Sequence, residues 1–152
     1  MTAAIALLAG APSAVAQENH FKITCQGIGP QGAPEPVGDR AGHAISVTQE
    51  SCRVESGPWS GVAVLTGTAT WEWDGPNALL LSGGDVVRKP GATAVSVMTE
   101  GKLALTMADG KVAGWTATGK GHWPVGELAG KSFTYTAKST AAGQWEVDGT
   151  VE

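Results

Sequence analysis

His43 is the side chain best suited to chemistry at neutral pH, because an imidazole changes charge between about pH 5 and 8. It follows Gly38-Asp39-Arg40-Ala41-Gly42. An inward imidazole beside a carboxylate acts as a general acid or base. Arg40 can polarise a carbonyl or hold a ligand carboxylate. The competing readings are a rim hydrogen bond for His43 and a surface ion pair with Asp39 or Glu35 for Arg40. Tyr135 is the single tyrosine. It shares strand parity with Phe133 and Ala137, so its hydroxyl needs an interior partner, as a ligand anchor or as a structural group. The candidate catalytic residues are therefore His43, Tyr135 and Arg40. Trp71 and Trp73 share one face of a strand and could stack on a flat ring; Trp115 shares a face with Trp123. Trp71, Trp73, Tyr135 and Trp115 are the candidate ligand-binding residues, against plain core packing for each.

Other chemistries lack their residues. Gly83-Gly84 is followed by no helix and no Lys-Ser/Thr, so it is not a phosphate loop. No Gly-x-Ser-x-Gly elbow occurs. No cluster of three ligands has metal spacing, so no metal and no cofactor are expected. Glu72 and Asp74 share a face near a strand end and default to a solvated edge.

These side chains must be positioned by strands. Gly61 to Asp74, GVAVLTGTATWEWD, is β-branched, small or aromatic, with no charge before Glu72. Successive side chains point to opposite faces, so Ala63, Leu65, Gly67, Ala69, Trp71 and Trp73 form one face. That face runs from small residues to two indoles, as though part of an interior were left open. Before it, Phe21, Ile23 and Cys25 alternate in a first strand. Gly27 to Ala41 is a Gly/Pro loop of the length that lids and rims use. Gly42 to Glu55 is a second strand. There His43, Ile45, Val47 and Gln49 share one face, which puts His43 at the barrel mouth and inward if those aliphatics point inward, and Ala44, Ser46, Thr48 and Glu50 share the other. Beyond the central strand, Ala78 to Ser82 and Val86-Val87 flank a bulge at Gly83-Gly84-Asp85. Thr93 to Thr99 and Lys102 to Ala108 are separated at Glu100-Gly101. Asp109-Gly110 is the strongest hairpin signal. Lys111 to Trp123, Ser132 to Lys138 and Gln144 to Val151 complete the pattern, with His122 facing outward. Short turns join most of these strands, which makes successive strands antiparallel neighbours.

The composition agrees. The chain has 152 residues, the length of one domain. It carries 22 glycines, 42% hydrophobic residues and a net charge of −4. Glycine lacks the collagen period, and the charge is too low for disorder. The ten basic residues form no stripe, so nucleic acid is not an expected partner. The expected fold is all-β: an eight-stranded antiparallel up-and-down β-barrel, which closes its own edges. Eight strands either pack solid or hold one small ligand. The many inward Ala and Gly favour the ligand.

Residues 1–16 are an apolar run ending in Ala14-Val15-Ala16, a signal-peptidase pattern without the basic n-region. The expected organisation is a signal-like segment, 1–16, followed by a single barrel domain, 17–152. The segment is too short and too weakly apolar for a transmembrane helix, so no stable membrane insertion is expected. Export to the periplasm or the medium matches an oxidising compartment, where Cys25 and Cys52 would be bonded.

The chain resembles the calycin-like small barrels, and among them the allene oxide cyclase and dirigent group. The resemblance is carried by the exported N-terminus, the Gly- and Thr-rich meander, GVAVLTGTATWEWDG, the following LLLSGG, and TATGKGHWPVGELAGKSFTYTA. It covers Phe21 to Glu152 and is one of pattern. It implies the barrel fold and the habit of binding an apolar small molecule, and it transfers no catalytic residue. Six tryptophans are also similar to the avidins, but the first strand lacks their Gly-x-Trp entry, so biotin is not expected. Three functions follow. The first is a barrel binding an apolar or aromatic small molecule in a Trp-lined interior. The second is a cofactor-free cyclase or isomerase of the allene oxide cyclase type. The third is a structural or interaction barrel with a solid core, for which a homo-oligomer stays open.

Overall fold

The computed structural model describes residues 19–29, 33–59 and 63–152. The signal-like segment, 1–16, lies outside them. The described chain is all-β: β1 (His20–Gly27), β2 (Glu35–Pro36), β3 (His43–Ser56), β4 (Val64–Asp74), β5 (Asn77–Lys89), β6 (Ala92–Ala108), β7 (Lys111–Val125), β8 (Ser132–Ala141) and β9 (Gln144–Val151). Every pairing is antiparallel and joins neighbours in the order β1-β9-β8-β7-β6-β5-β4-β3-β2. A further pairing of β1 with β3 closes the sheet, giving an eight-stranded up-and-down barrel with β2 as a short flange on β3. No described helix is long and apolar enough to cross a membrane.

The local chemistry explains the turns. Asp109 and Gly110 both have positive φ, 51° and 73°, the requirement of a two-residue turn whose twist matches its strands. The hairpin expected about Asp109-Gly110 forms there, with Lys102 opposite Thr118. Glu100-Gly101 does not separate two strands: β6 runs through it, absorbing a register irregularity between Met98 and Glu100. β5 is likewise continuous. Its irregularity lies opposite Thr70 and Trp71, where Ser82 and then Leu80 are the partners, rather than at Gly83-Gly84-Asp85.

Closure rests on β1. Cys25 stands directly opposite Cys52, and the two are bonded. β1 pairs only with the second half of β3, from Glu50 to Ser56. The first half of β3 extends beyond it and is bordered by β2. This offset resolves how a strand ending near Gly27 reaches Cys52 across a long loop.

The offset also settles the faces of β3. Cys52 and Val54 are buried, whereas Val47 is 58% exposed. Ala44, Ser46, Thr48, Glu50, Cys52 and Val54 therefore form the inner face, and His43, Ile45, Val47 and Gln49 the outer. This inverts the sequence expectation, which followed the aliphatic pair Ile45 and Val47. Apolar atoms make up much of any folded surface, so that pair was a weak guide. On β4 the expectation holds: Ala63, Leu65, Ala69 and Trp71 are buried, and the β3–β4 register runs unbroken to Asp74.

One end of the barrel is filled by aromatic rings. Trp59 and Trp123 meet edge-to-face at 4.6 Å, and Phe133 packs on Trp123 at 5.4 Å. Phe21 packs on Phe133 at 6.4 Å. Inner-face glycines make room for these rings. A Cβ on Gly121 would lie 2.4 Å from the Phe133 ring, and one on Gly149 would lie 2.2 Å from the Phe21 ring.

The disulfide fastens the seam of the barrel across a sequence separation of 27. Replacing both cysteines by serine is expected to lower unfolding free energy by roughly 3–4 kcal/mol, on chain-entropy grounds. Denaturant melts of the two forms measure the difference.

Candidate functional site

Beyond the aromatic plug the interior is open. A cavity of about 310 Å³ is lined by residues from every strand of the closed barrel. General experience places ligand pockets at about 300 Å³ and above, and a cavity of about 150 Å³ already admits benzene. Its walls are mostly apolar: Ile23, Leu65, Ala69, Met98, Leu103 and Val147 are among them. Trp71, Trp73, Trp115 and Trp145 supply indoles to the same space. Trp115 and Trp145 lean together at 5.9 Å. Trp73 is fixed by its Nε1–H, which donates to Ser46 Oγ at 2.8 Å.

The candidate ligand-binding residues Trp71, Trp73, Tyr135 and Trp115 thus border one cavity. The Tyr135 hydroxyl donates to the thioether of Met98 at 3.5 Å, a weak acceptor. Burial, reinforced by the nearby carboxyls of Glu50 and Asp85, pushes the Tyr135 pKa up to about 12. The phenol is therefore a neutral donor at physiological pH.

His43 and Arg40 lie elsewhere. His43 is on the outer face of β3, across from Asp74 and beside Glu72, which points out between Trp71 and Trp73. Its Nδ1 bonds to Asp39, and its Nε2 bonds to Glu72 Oε1 at 2.8 Å. Arg40 Nη1 donates to Asp39 Oδ2 at 3.2 Å and lies 3.1 Å from His43 Nδ1. The ring is covered locally, yet it sits at the periphery of the molecule. The Asp39 bond, with Glu72 assisting, raises the His43 pKa against local burial and Arg40. The His43 bond in turn lowers the Asp39 pKa. This cluster ties the loop before β3 to β4 on the outside of the wall, and neither candidate borders the cavity.

The inner titratable groups are two that sequence reading passed over. Glu50, Gly67, Asp85 and Ser96 are successive register partners across β3, β4, β5 and β6. Gly67 carries no side chain, so the flanking carboxyls meet above it. A Cβ there would lie 2.0 Å from Asp85 Oδ1 and 2.7 Å from the Gly84 carbonyl oxygen. Ser96 Oγ accepts from the Asp85 amide at 3.2 Å and donates to Asp85 Oδ2 at 3.1 Å. Asp85 Oδ1 is sealed from solvent, and no described donor other than the Glu50 carboxyl reaches it. Burial, then the negative field of Asp85, pushes Glu50 up to about 8. Burial also raises Asp85, while hydrogen bonds from Glu50 and Ser96 oppose the rise. Burial raises both carboxyls, and Glu50 holds a proton at neutral pH, the usual outcome for two carboxyls in one apolar site. The available signal was Cys52. Its bond to Cys25, which shares a face with Phe21 and Ile23, places Glu50 on the inner face by parity.

Two outcomes test this arrangement. Gly67→Ala is expected to destabilise by about 1–3 kcal/mol, the usual cost of overpacking, because the Gly84 carbonyl cannot swing aside. Chemical denaturation measures it. The second concerns pH. A carboxyl whose folded pKa is raised binds its proton more tightly when folded. Its stabilisation is complete below pH 4.5 and lost as pH rises through about 8. The melting temperature should therefore fall across that window, and Glu50→Gln should flatten the fall.

Searches of family models, of curated proteins and of solved structures each return no match to this chain.

Proposed function

We propose that this is an exported barrel that binds one small apolar or aromatic molecule in its Trp-lined interior. The observation that carries the reading is the cavity of about 310 Å³. A barrel serving only as a rigid body gains stability by filling such a space, since unfilled volume forfeits dispersion contacts. Here the chain places Ala69 on β4 where a larger side chain would fill it, and sets indoles around the void. The resemblance to the allene oxide cyclase and dirigent barrels supports the same habit. The Cys25–Cys52 bond supports an oxidising compartment, periplasmic or external.

The second reading, a cofactor-free cyclase or isomerase, is favoured by one observation: a carboxyl that is protonated at neutral pH borders the cavity. General acids in catalysis require such tuning. In that reading Glu50 takes the role first assigned to His43, and Tyr135 is the second donor.

Native mass spectrometry of protein purified from its own host tests the binding reading by detecting a retained small molecule. Titration with an aromatic probe should shift tryptophan emission. Trp71→Ala should weaken that binding about tenfold or more, whereas His43→Gln should leave affinity within about twofold, because His43 lies outside the wall. Repeated failure of any apolar or aromatic probe to shift the emission would count against the reading. A molecule recovered in chemically altered form after incubation would favour the enzyme.

A further inference from the structure

We propose that the Glu50–Asp85 pair is the polar anchor of the ligand site, and that the molecule held in the barrel carries a protonated amine on a flat apolar body. This rests on the cavity being a ligand site and narrows the class of ligand.

Three observations carry it. First, the pair has no counter-charge. Among the described residues lining the cavity, Glu50 and Asp85 are the only carboxyls, and no Lys, Arg or His is present. Buried acids are almost always matched by a cation or a full set of donors. Here both carboxyls of the pair face a void. Second, the pair is short of donors: Ser96 Oγ holds Asp85 Oδ2, and apart from the Glu50 carboxyl no described donor reaches the buried Asp85 Oδ1. An ammonium group seated at the pair brings both the missing charge and hydrogen-bond donors. Charge-assisted hydrogen bonds of this kind are the strong ones. Third, the walls are suited to the rest of such a molecule. Trp71, Trp73 and Trp115 border the same cavity. Their faces attract cations and also stack on flat rings.

The spacing along β4 gives the ligand its shape. Gly67 lies at the acid pair, Ala69 is the next inward residue, and Trp71 is the one after. Trp71 is therefore about 13 Å from the pair along the strand, at the usual rise per residue. Between them the wall carries only a hydrogen and a methyl group. That leaves room for an amine joined by a short chain to one fused ring system. A negatively charged ligand would meet the pair with like charge. A purely apolar one would leave the charge of the pair uncompensated.

The test compares two probes of nearly equal shape, naphthylethylamine and naphthylethanol, by isothermal titration calorimetry. One is a cation at neutral pH and the other is uncharged. The amine is expected to bind the wild-type protein at least about tenfold more tightly than the alcohol. The Glu50→Gln/Asp85→Asn double variant keeps side-chain shape and removes the charge. It is expected to bring the two affinities within about threefold, chiefly by weakening the amine. Circular dichroism confirms that the variant is folded. If wild-type protein binds both probes equally, the amine assignment is overturned and the apolar-ligand reading stands. A preference for the amine that survives in the folded double variant also overturns it, since the attraction then lies elsewhere. Binding of neither probe counts against the cavity as a ligand site, and the amine assignment goes with it. The wild-type comparison decides the matter even if the double variant does not fold.

Discussion

The architecture depends on one constraint: the two edges of a strand meander must find each other. β1 meets it by pairing on both sides, with β9 and with the second half of β3. The eight strands thereby close into one ring with no free outer strand but the short flange at β2, and an unpaired row of amides is what makes open sheets prone to association. The Cys25–Cys52 bond lies on this seam and on the cavity wall together. The link that holds the barrel shut is thus also part of the surface a ligand would touch.

Within that closed wall, the division between filled and empty space follows from residue size. Rings that lie over cross-strand glycines fill one end. Tyr135 has Gly119 and Gly149 as its two partners, and Phe133 has Gly121. Towards the other end the same pairing of small with large residues is broken. Gly67 faces carboxyls instead of a ring, and the space beyond it is left to whatever enters. The high glycine content therefore serves the interior as much as the turns. A polar pair in so apolar a chamber is costly to hold. Transferring a proton onto Glu50 reduces that cost without a basic side chain from the protein.

Much of this was legible from residue order. Strict alternation in β4, β7, β8 and β9 placed five of the six indoles on shared faces, and Asp109-Gly110 marked its hairpin. The disulfide was expected from the compartment alone; the pairing that carries it, β1 against the second half of β3, was not legible. What stayed hidden has physical causes. In β3 both faces carry small, polar or aliphatic residues, so hydrophobicity could not orient it. In β5 an irregular residue at Leu81 shifts the parity. Ala78 and Leu80 turn inward before it, and Asp85 and Val87 after it, so an alternation counted from Ala78 sends Asp85 outward. The acid pair needs both strands oriented correctly, and each was ambiguous alone. His43 drew the eye because its chemistry is versatile, yet its neighbours Asp39 and Glu72 bind it to the outer rim.

The pairing of β1 with β9 also governs how the barrel can be assembled. Phe21 lies beside Gly149, and His20 beside Thr150, so strands near the two ends of the chain are hydrogen-bonded neighbours. Most other pairings join strands adjacent in sequence, and they form early because short loops close at little entropic expense. The last seam cannot close until the final strand exists. Until it does, the sheet has two unpaired edges and encloses nothing, and a closure between such distant segments carries the slow folding expected of distant contacts. A molecule too large to pass the finished mouth could still be enclosed at that moment, as the wall closes around it.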